Sequence, residues 1–132
     1  MIDNDKRNAL IAYRISQAKE TIEDAELLFA NNKLRAAINR IYYGMFYSLL
    51  AIGLKHQFET SKHQQLLGWF NKNFIHTGKI EVKYGEMIKN AFRSRNISDY
   101  ETDVIYSKEN VDVMLIDMKE FIAAMEIFVS ED

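Results

Sequence analysis

The 132-residue sequence contains neither cysteine nor proline. Without cysteine the chain has no disulfide, no thiolate metal ligand and no thiol nucleophile, a composition that fits a reducing compartment. Without proline it lacks the strongest helix breaker, so nothing interrupts long helical segments. These two absences favour a mainly helical protein of the cytoplasm.

A strong net charge and a long hydrophobic run are also missing. The formal net charge is −2 with 27% charged residues, so there is no overall basic excess of the kind that indicates a nucleic-acid binder. The most apolar run, residues 41–54, is 14 residues long, whereas a membrane-spanning helix needs about 20. The first ten residues are charged from the third onward and have no apolar core of signal-peptide length. We therefore expect a cytoplasmic protein that does not contact membranes and holds any anionic ligand locally.

The common motifs of catalysis and cofactor binding are absent. There is no glycine-rich phosphate loop, no histidine pair at helical metal spacing and no Gly-x-Ser-x-Gly turn. The sequence thus predicts no metal, no cofactor and no catalytic residue that a motif identifies.

Apolar residues that recur every three or four positions predict a single all-α domain spanning residues 1–132. We predict an up-and-down bundle of four main helices plus one short helix. The second helix is apolar on nearly every face, so it should be surrounded by the others. The main helices are predicted at about 11–29, 33–55 and 81–93, with a last helix after the N-cap Ser107. The short helix opens at Ser61, which forms a capping-box pattern with Gln64, and ends before Gly78.

The stretch FRSRNISDYETD, residues 92–103, is predicted to connect the fourth and last helices. Its candidate ligand-binding residues are Arg93, Arg95, Asp99 and Tyr100. Planar guanidinium donors match phosphate oxygens, and an aromatic ring stacks on a base. In the alternative interpretation, Arg95 and Asp99 pair with each other or cap a helix.

Arg40 and His63 each have a structural and a functional interpretation. Arg40 falls on the most apolar helix, where its guanidinium needs compensation for lost hydration. An intramolecular pair with Asp99 or Asp103 is the more common solution, and a phosphate contact is the functional one. His63 lies in the first turn of the short helix, where a neutral, structural imidazole is favoured because the helix N-terminus disfavours added positive charge. Its functional interpretation is a contact with the bound nucleotide or phosphate.

Four strings together resemble a known family: AAINRIYYGMFYSLL, SKHQQLLGWF, HTGKI and FRSRNISDY. They are similar to the small, stand-alone prokaryotic branch of the HEPN superfamily (higher eukaryotes and prokaryotes nucleotide-binding domain). The resemblance extends from about Tyr13 to Phe128. It implies a helical bundle that commonly dimerises and is often encoded beside a minimal nucleotidyltransferase as a toxin–antitoxin pair. Many such relatives cut RNA.

The sequence departs from the active ribonucleases of that family, which resemble one another in carrying Arg-x(4–6)-His. In those enzymes the arginine steadies a phosphate and the histidine moves protons, with no metal required. Here no histidine follows His76, and the corresponding positions hold Ser98, Asp99, Tyr100 and their neighbours. Tyrosine, with a pKa of about 10, and aspartate, with a pKa of about 4, are poor general bases at neutral pH. Losing such a group typically costs about 10²–10⁴ in rate, unless His63 reaches in from its own helix.

Three functional hypotheses follow. The first is a nucleotide- or RNA-binding protein, weakly or not catalytic, that acts with a nucleotidyltransferase and binds phosphate through Arg40, Arg93 and Arg95. The second is a metal-independent endoribonuclease toxin, and the third is a dimeric helical scaffold without a ligand. The resemblance also implies that the partner enzyme attaches a nucleotide to Tyr100. In the alternative interpretation, which is the more common one for a tyrosine, Tyr100 packs its ring over the connector.

We further expect a homodimer. The apolar stripes include residues that one 132-residue bundle is not expected to bury completely. Pairing of two chains about a two-fold axis is the commonest way to cover such residues. These residues are Trp69, Phe70, Met87, Met114, Met118 and Met125.

Overall fold

The computed structural model describes residues 3–101 and 103–131. These residues form five α-helices and no strand, which confirms the predicted all-α bundle of four main helices and one short one. The helices are α1 (Asn4–Ala30), α2 (Leu34–Lys55), α3 (His63–Phe70), α4 (Val82–Tyr100) and α5 (Lys108–Ser130), and α3 continues into a π-helical turn, Asn71–Ile75.

Helix α2 is the centre of the bundle, as its sequence predicts. The side chains of Ile38, Ile41, Tyr42, Leu49 and Ile52 have no exposed surface. Helices α1, α3, α4 and α5 all pack against it. Asn39 and Arg40, in the N-terminal half of α2, are half-buried and lie opposite Ser98 and Asp99 of α4, and this neighbourhood positions the candidate site.

Two of the predicted helix boundaries have different outcomes. The prediction for Ser107 is confirmed, because its hydroxyl accepts a hydrogen bond from the Asn110 backbone N–H at 3.1 Å and the Asn110 side chain bonds back to the N-cap. The prediction for Ser61 is wrong, because α3 begins two residues later with Lys62 as the N-cap. The hydroxyl of Thr60 accepts from the Lys62 backbone N–H at 3.1 Å and fixes the chain before the helix.

Residues 92–100 are part of α4 and not of a connector, so the predicted end of the fourth helix near residue 93 is wrong. No glycine or proline occurs between residues 86 and 107 to stop the helix. In addition, the Arg35 guanidinium donates to the backbone carbonyls of Ser98, Glu101 and Val104. A cation at the C-terminal end of a helix satisfies carbonyl groups that lack partners within the helix and is favoured by the helix dipole.

The residues on which the dimer expectation was based are largely buried within one chain. Phe70, Met114, Met118 and Met125 are at most 5% exposed, while Trp69 and Met87 pack against the core from its edge. The exposed apolar side chains of α5 are instead Val113, Ile116 and Ile127. Within the described residues, no helix combines the length and the apolar character needed to cross a membrane.

Candidate functional site

Arg95 lies on α4 with its guanidinium against aromatic rings of α2. Its side chain is only 14% exposed, and the guanidinium carbon lies 5.2 Å from the ring centroid of Tyr42, 5.5 Å from that of Tyr43 and 5.8 Å from that of Phe92. Within the described chain its buried Nε has no hydrogen-bond partner. The carboxylate of Asp99, one turn later, is 3.7 Å from Nη1. The charge is therefore offset mainly by ring faces and only weakly by an acid.

Arg40 reaches the same aromatic cluster from α2. Its guanidinium carbon is 5.2 Å from the Tyr43 centroid, so both arginines contact one ring. Nε and Nη2 donate to the Asn39 side-chain oxygen at 3.1 and 2.8 Å. The expected pair with Asp99 or Asp103 is not formed, since no carboxylate in the described ranges lies within ion-pair distance of Arg40. A neutral amide therefore takes the place of the acid.

A cavity of about 450 Å³ opens beside Arg40. Polar groups of α2 and α4 face each other across it: Arg35, Asn39 and Arg40 from the first helix, Ser98 and Asp99 from the second. The hydroxyl of Ser98 is buried and has no hydrogen-bond partner among the residues described. The cavity thus contains guanidinium and amide donors, together with the one carboxylate that contacts Arg95.

His63, the first residue of α3, belongs to the same cluster. Its Nδ1 is 2.6 Å from the Tyr42 hydroxyl, and its ring stacks on Phe46 at a centroid distance of 4.2 Å. The pKa of His63 is lowered, first because partial burial disfavours the charged ring and second because Arg95 adds a nearby positive charge. Burial raises the pKa of the Tyr42 hydroxyl, and Arg95 opposes that shift. Both groups are therefore neutral at pH 7.

Arg93 and Tyr100 lie outside this cluster. Side chains two residues apart on a helix point in directions about 200° apart, so Arg93 faces solvent when Arg95 faces α2. Arg93 donates to the Asn90 side-chain oxygen at 3.2 Å. Tyr100, the last residue of α4, is 78% exposed. The structure thus brings together Arg40, Arg95, His63 and Asp99 and separates Arg93 and Tyr100 from them. In the described part of the chain, no group of His, Asp and Glu is arranged to hold a metal ion.

Sequence reasoning missed Arg35, Tyr42 and Tyr43. The i, i+3 spacing of Arg40 and Tyr43 on a helix was a signal for their contact. Charge distribution was a second signal: residues 33–98 hold eleven Lys and Arg against three Asp and Glu, whereas residues 99–132 hold two against ten. The net charge of −2 conceals this separation.

The fold and the cluster define a class of protein, a small helical-bundle domain with partly buried arginines between its second and fourth helices. A family model described as the HEPN domain matches residues 11–128. A "UPF0332 protein" of Thermotoga maritima is 33% identical over 127 residues, which cover 96% of this chain and 96% of that protein. The chain therefore belongs to the HEPN domain family.

Two further relatives come from Methanocaldococcus jannaschii and both carry the name "putative toxin". They are 33% identical to this chain over 101 and 103 residues, respectively. The matches cover 76% and 78% of this chain, and 69% and 76% of the relatives. Toxin-type HEPN proteins are thus among its relatives.

Proposed function

We propose that this HEPN protein binds nucleotide or RNA through phosphate contacts made by Arg95 and Arg40, with little or no catalysis of its own. The observation that carries the proposal is the state of Arg95: a mostly buried guanidinium with an unpaired Nε and a carboxylate no nearer than 3.7 Å. Buried charges in proteins are usually paired more closely than this. A phosphate group at the exposed part of the guanidinium would supply closer acceptors than Asp99 does.

The energetic comparison favours a phosphate over Asp99. An i, i+4 ion pair on a helix is worth about 0.3–0.5 kcal/mol, and the 3.7 Å separation of Arg95 and Asp99 is long for a charge-assisted hydrogen bond. A hydrogen bond to a charged group contributes about 1.5–3 kcal/mol, and a guanidinium can form two to one phosphate. A phosphate therefore displaces the carboxylate, and Arg40, whose guanidinium also contacts the Tyr43 ring, adds a second cation.

Calorimetric titration of adenosine monophosphate and of a short oligoribonucleotide tests this proposal. We expect Arg95→Ala to weaken binding of both ligands about tenfold or more, since one charge-assisted contact is lost. Arg93→Ala is the matched control, because it removes the same charge from the same helix on the solvent-facing side. Equal effects of the two substitutions would refute the site.

The proposal includes a partner. We propose that the chain acts in the cytoplasm as one member of a toxin–antitoxin pair with a minimal nucleotidyltransferase, and that Tyr100 receives a nucleotide from that enzyme. The names of the relatives and the exposure of Tyr100 at the end of α4 support this part. Intact-mass measurement after co-expression with the enzyme should show one added nucleotide in the wild type and none in Tyr100→Phe.

A homodimer is also proposed, with the apolar residues of α5 as its contact surface. Val113, Ile116 and Ile127 are 57–61% exposed on one helix, and exposed apolar patches often mark interfaces. Sedimentation at micromolar concentration should show a dimer that Ile116→Lys converts to a monomer.

His63 favours a second candidate function, metal-independent cleavage of RNA. The lowered pKa keeps the ring neutral at pH 7, and when Nδ1–H donates to the Tyr42 oxygen, Nε2 carries the lone pair that a general base requires. RNA cleavage in the presence of a chelator should then be lost in His63→Ala and in Arg95→Ala. Cleavage that persists in both variants would assign the activity elsewhere.

A further inference from the structure

A second cavity, separate from the arginine cluster, lies between α3, the π-helical turn and the first half of α4. Its volume is about 620 Å³, within the range of small-molecule sites. Buried apolar side chains of Phe70, Ile75 and Ile88 form its floor. Exposed polar residues, including Asn71 and Lys89, form its rim. We call it the α3–α4 groove.

Two features keep the groove open. Gly68 of α3 lines it, and a Cβ added at this position would have no atom within 4 Å. The helix that follows widens into the π-helical turn, Asn71–Ile75, whose first and last residues also line the groove. Such π segments are rare and frequently occur at functional sites.

On α4, Phe92 and Arg95 follow at helical spacing, on the same face, after Gly85 and Ile88, which line the groove. Lys89 lines it, Phe92 follows one turn later and stacks with His63 at 6.4 Å, and the Arg95 guanidinium lies 5.8 Å from the Phe92 ring. At 1.5 Å per residue, Arg95 lies about 9 Å from Lys89 and about 15 Å from Gly85 along the helix. A stacked strand covers about 3.4 Å per nucleotide, so these two distances correspond to about three and about four nucleotides.

The segment around the groove has an excess of positive charge, since residues 62–95 hold seven Lys and Arg and only two Glu. Within it, Lys83 pairs with Glu120 and Arg93 faces away, and the charged residues of the groove lining are Lys89 and Glu86. Single-stranded nucleic acid binds in basic grooves in which bases contact apolar or aromatic surfaces. The rim adds the Asn71 amide, the His76 ring and the Glu86 carboxylate as hydrogen-bonding groups for base edges.

From this continuity we infer that the α3–α4 groove is a base-binding subsite for single-stranded RNA whose phosphate is held at Arg95. The inference rests on the proposed function, since Arg95 supplies the phosphate contact that sets the position of the strand. His63 and Phe92 lie between the two contacts, where their rings contact each other. A mononucleotide at Arg95 is too short to reach the groove, whereas a hexanucleotide reaches both.

Gly68→Leu is the substitution that tests the subsite. It fills the groove without meeting other atoms at Cβ, and leucine has a higher helix propensity than glycine, so loss of folding does not confound the result. Ala12→Leu is the matched control, because it adds a leucine to an exposed helical position of α1, which does not line the groove. The ligands are adenosine monophosphate and a hexameric oligoadenylate, measured by titration with each variant and with Arg95→Ala.

We expect Gly68→Leu to weaken hexamer binding about tenfold and to leave mononucleotide binding unchanged, with Ala12→Leu neutral for both. Unchanged hexamer binding in Gly68→Leu overturns the subsite while leaving the proposed function intact. If Arg95→Ala changes neither ligand, the proposed function fails. If Gly68→Leu weakens hexamer binding and Arg95→Ala does not, the groove binds RNA independently of Arg95, and the inference that one strand contacts both is wrong.

Discussion

The two sides of the bundle manage their charges differently. On the side of α5, three lysines contact glutamates on neighbouring helices at 2.5–2.8 Å, and all six side chains are about half exposed: Lys19–Glu126, Lys83–Glu120 and Lys119–Glu26. On the side of α2 and α4, Arg40 contacts an amide and Arg95 contacts rings. The first arrangement is complete within the fold, whereas the second leaves cations that an external anion can neutralise.

The difference separates structural charge from functional charge. Exposed ion pairs between helices contribute little to stability and are screened by salt. A partly buried guanidinium without a close acid is costly to keep and gains most when an anion binds. On this basis, we propose that the arginines between α2 and α4 are the ligand-binding groups, whereas the lysines around α5 are surface charges.

The largest effect is expected from removal of the Tyr42 hydroxyl, which connects α2 to His63 of α3. Tyr42→Phe leaves His63 Nδ1 without its partner at 2.6 Å, so the free energy of unfolding should fall by about 1–3 kcal/mol. Tyr47→Phe is the control, since Tyr47 lies on the same helix and no hydrogen bond of its hydroxyl occurs within the described residues. Chemical denaturation of both variants measures the difference, and equal stabilities would contradict the role of the bond.

The next effect is the salt dependence of RNA binding. With two phosphates contacted by Arg40 and Arg95, the logarithm of the association constant should fall with the logarithm of salt concentration with a slope of about −1.4. Between 50 and 200 mM salt this is a loss of about sevenfold in affinity. Arg40→Gln should reduce the slope by about half. A slope near zero would show that these cations do not meet phosphate.

A smaller effect is the dependence of stability on pH. The pKa values of His63 and His56 are lowered in the folded chain, mainly by burial. The unfolded chain therefore binds protons more readily near pH 6.5, and stability that is present above this pH is lost as the pH falls. Arg95→Ala should flatten the curve between about pH 7.5 and 5.5, because it removes one of the two causes of the His63 shift. Denaturation midpoints across this range, with Arg93→Ala as the control, measure the effect.

The smallest effect is expected on the side of α5, where lysines pair with glutamates. Lys119→Met removes the contact with Glu26 at 2.8 Å, but exposed pairs contribute only about 0.2–1 kcal/mol. Both the stability and the RNA affinity of this variant should stay close to those of the wild type. A large loss of RNA affinity would place the binding surface on the α5 side and reverse the comparison.

The sequence predicted the fold better than the site. Periodicity and the absence of proline were sufficient for the number and order of helices, because burial of apolar stripes dominates the packing of a bundle. The end of α4 was misplaced because the stabilising contact comes from Arg35, 63 residues earlier in the chain. Local signals contain no information about such a contact.

For the site, the residue types were identified but not their grouping. Arg95 and Arg40 were named from the sequence, yet their common partner is the ring of Tyr43, which only the crossing of α2 and α4 determines. Arg93 was grouped with Arg95 because the segment was interpreted as a connector. Once residues 92–100 form a helix, the two arginines must point to different sides.

The most direct test of the account is the stability of Arg95→Met with and without a hexameric oligoribonucleotide. If Arg95 serves an external anion, the variant without RNA should be as stable as the wild type or more so, because an incompletely compensated buried charge is removed, and RNA should stabilise the wild type more than the variant. A variant that loses about 2 kcal/mol or more without RNA, while RNA stabilises it as much as the wild type, would show that Arg95 is a structural residue and contradict the account.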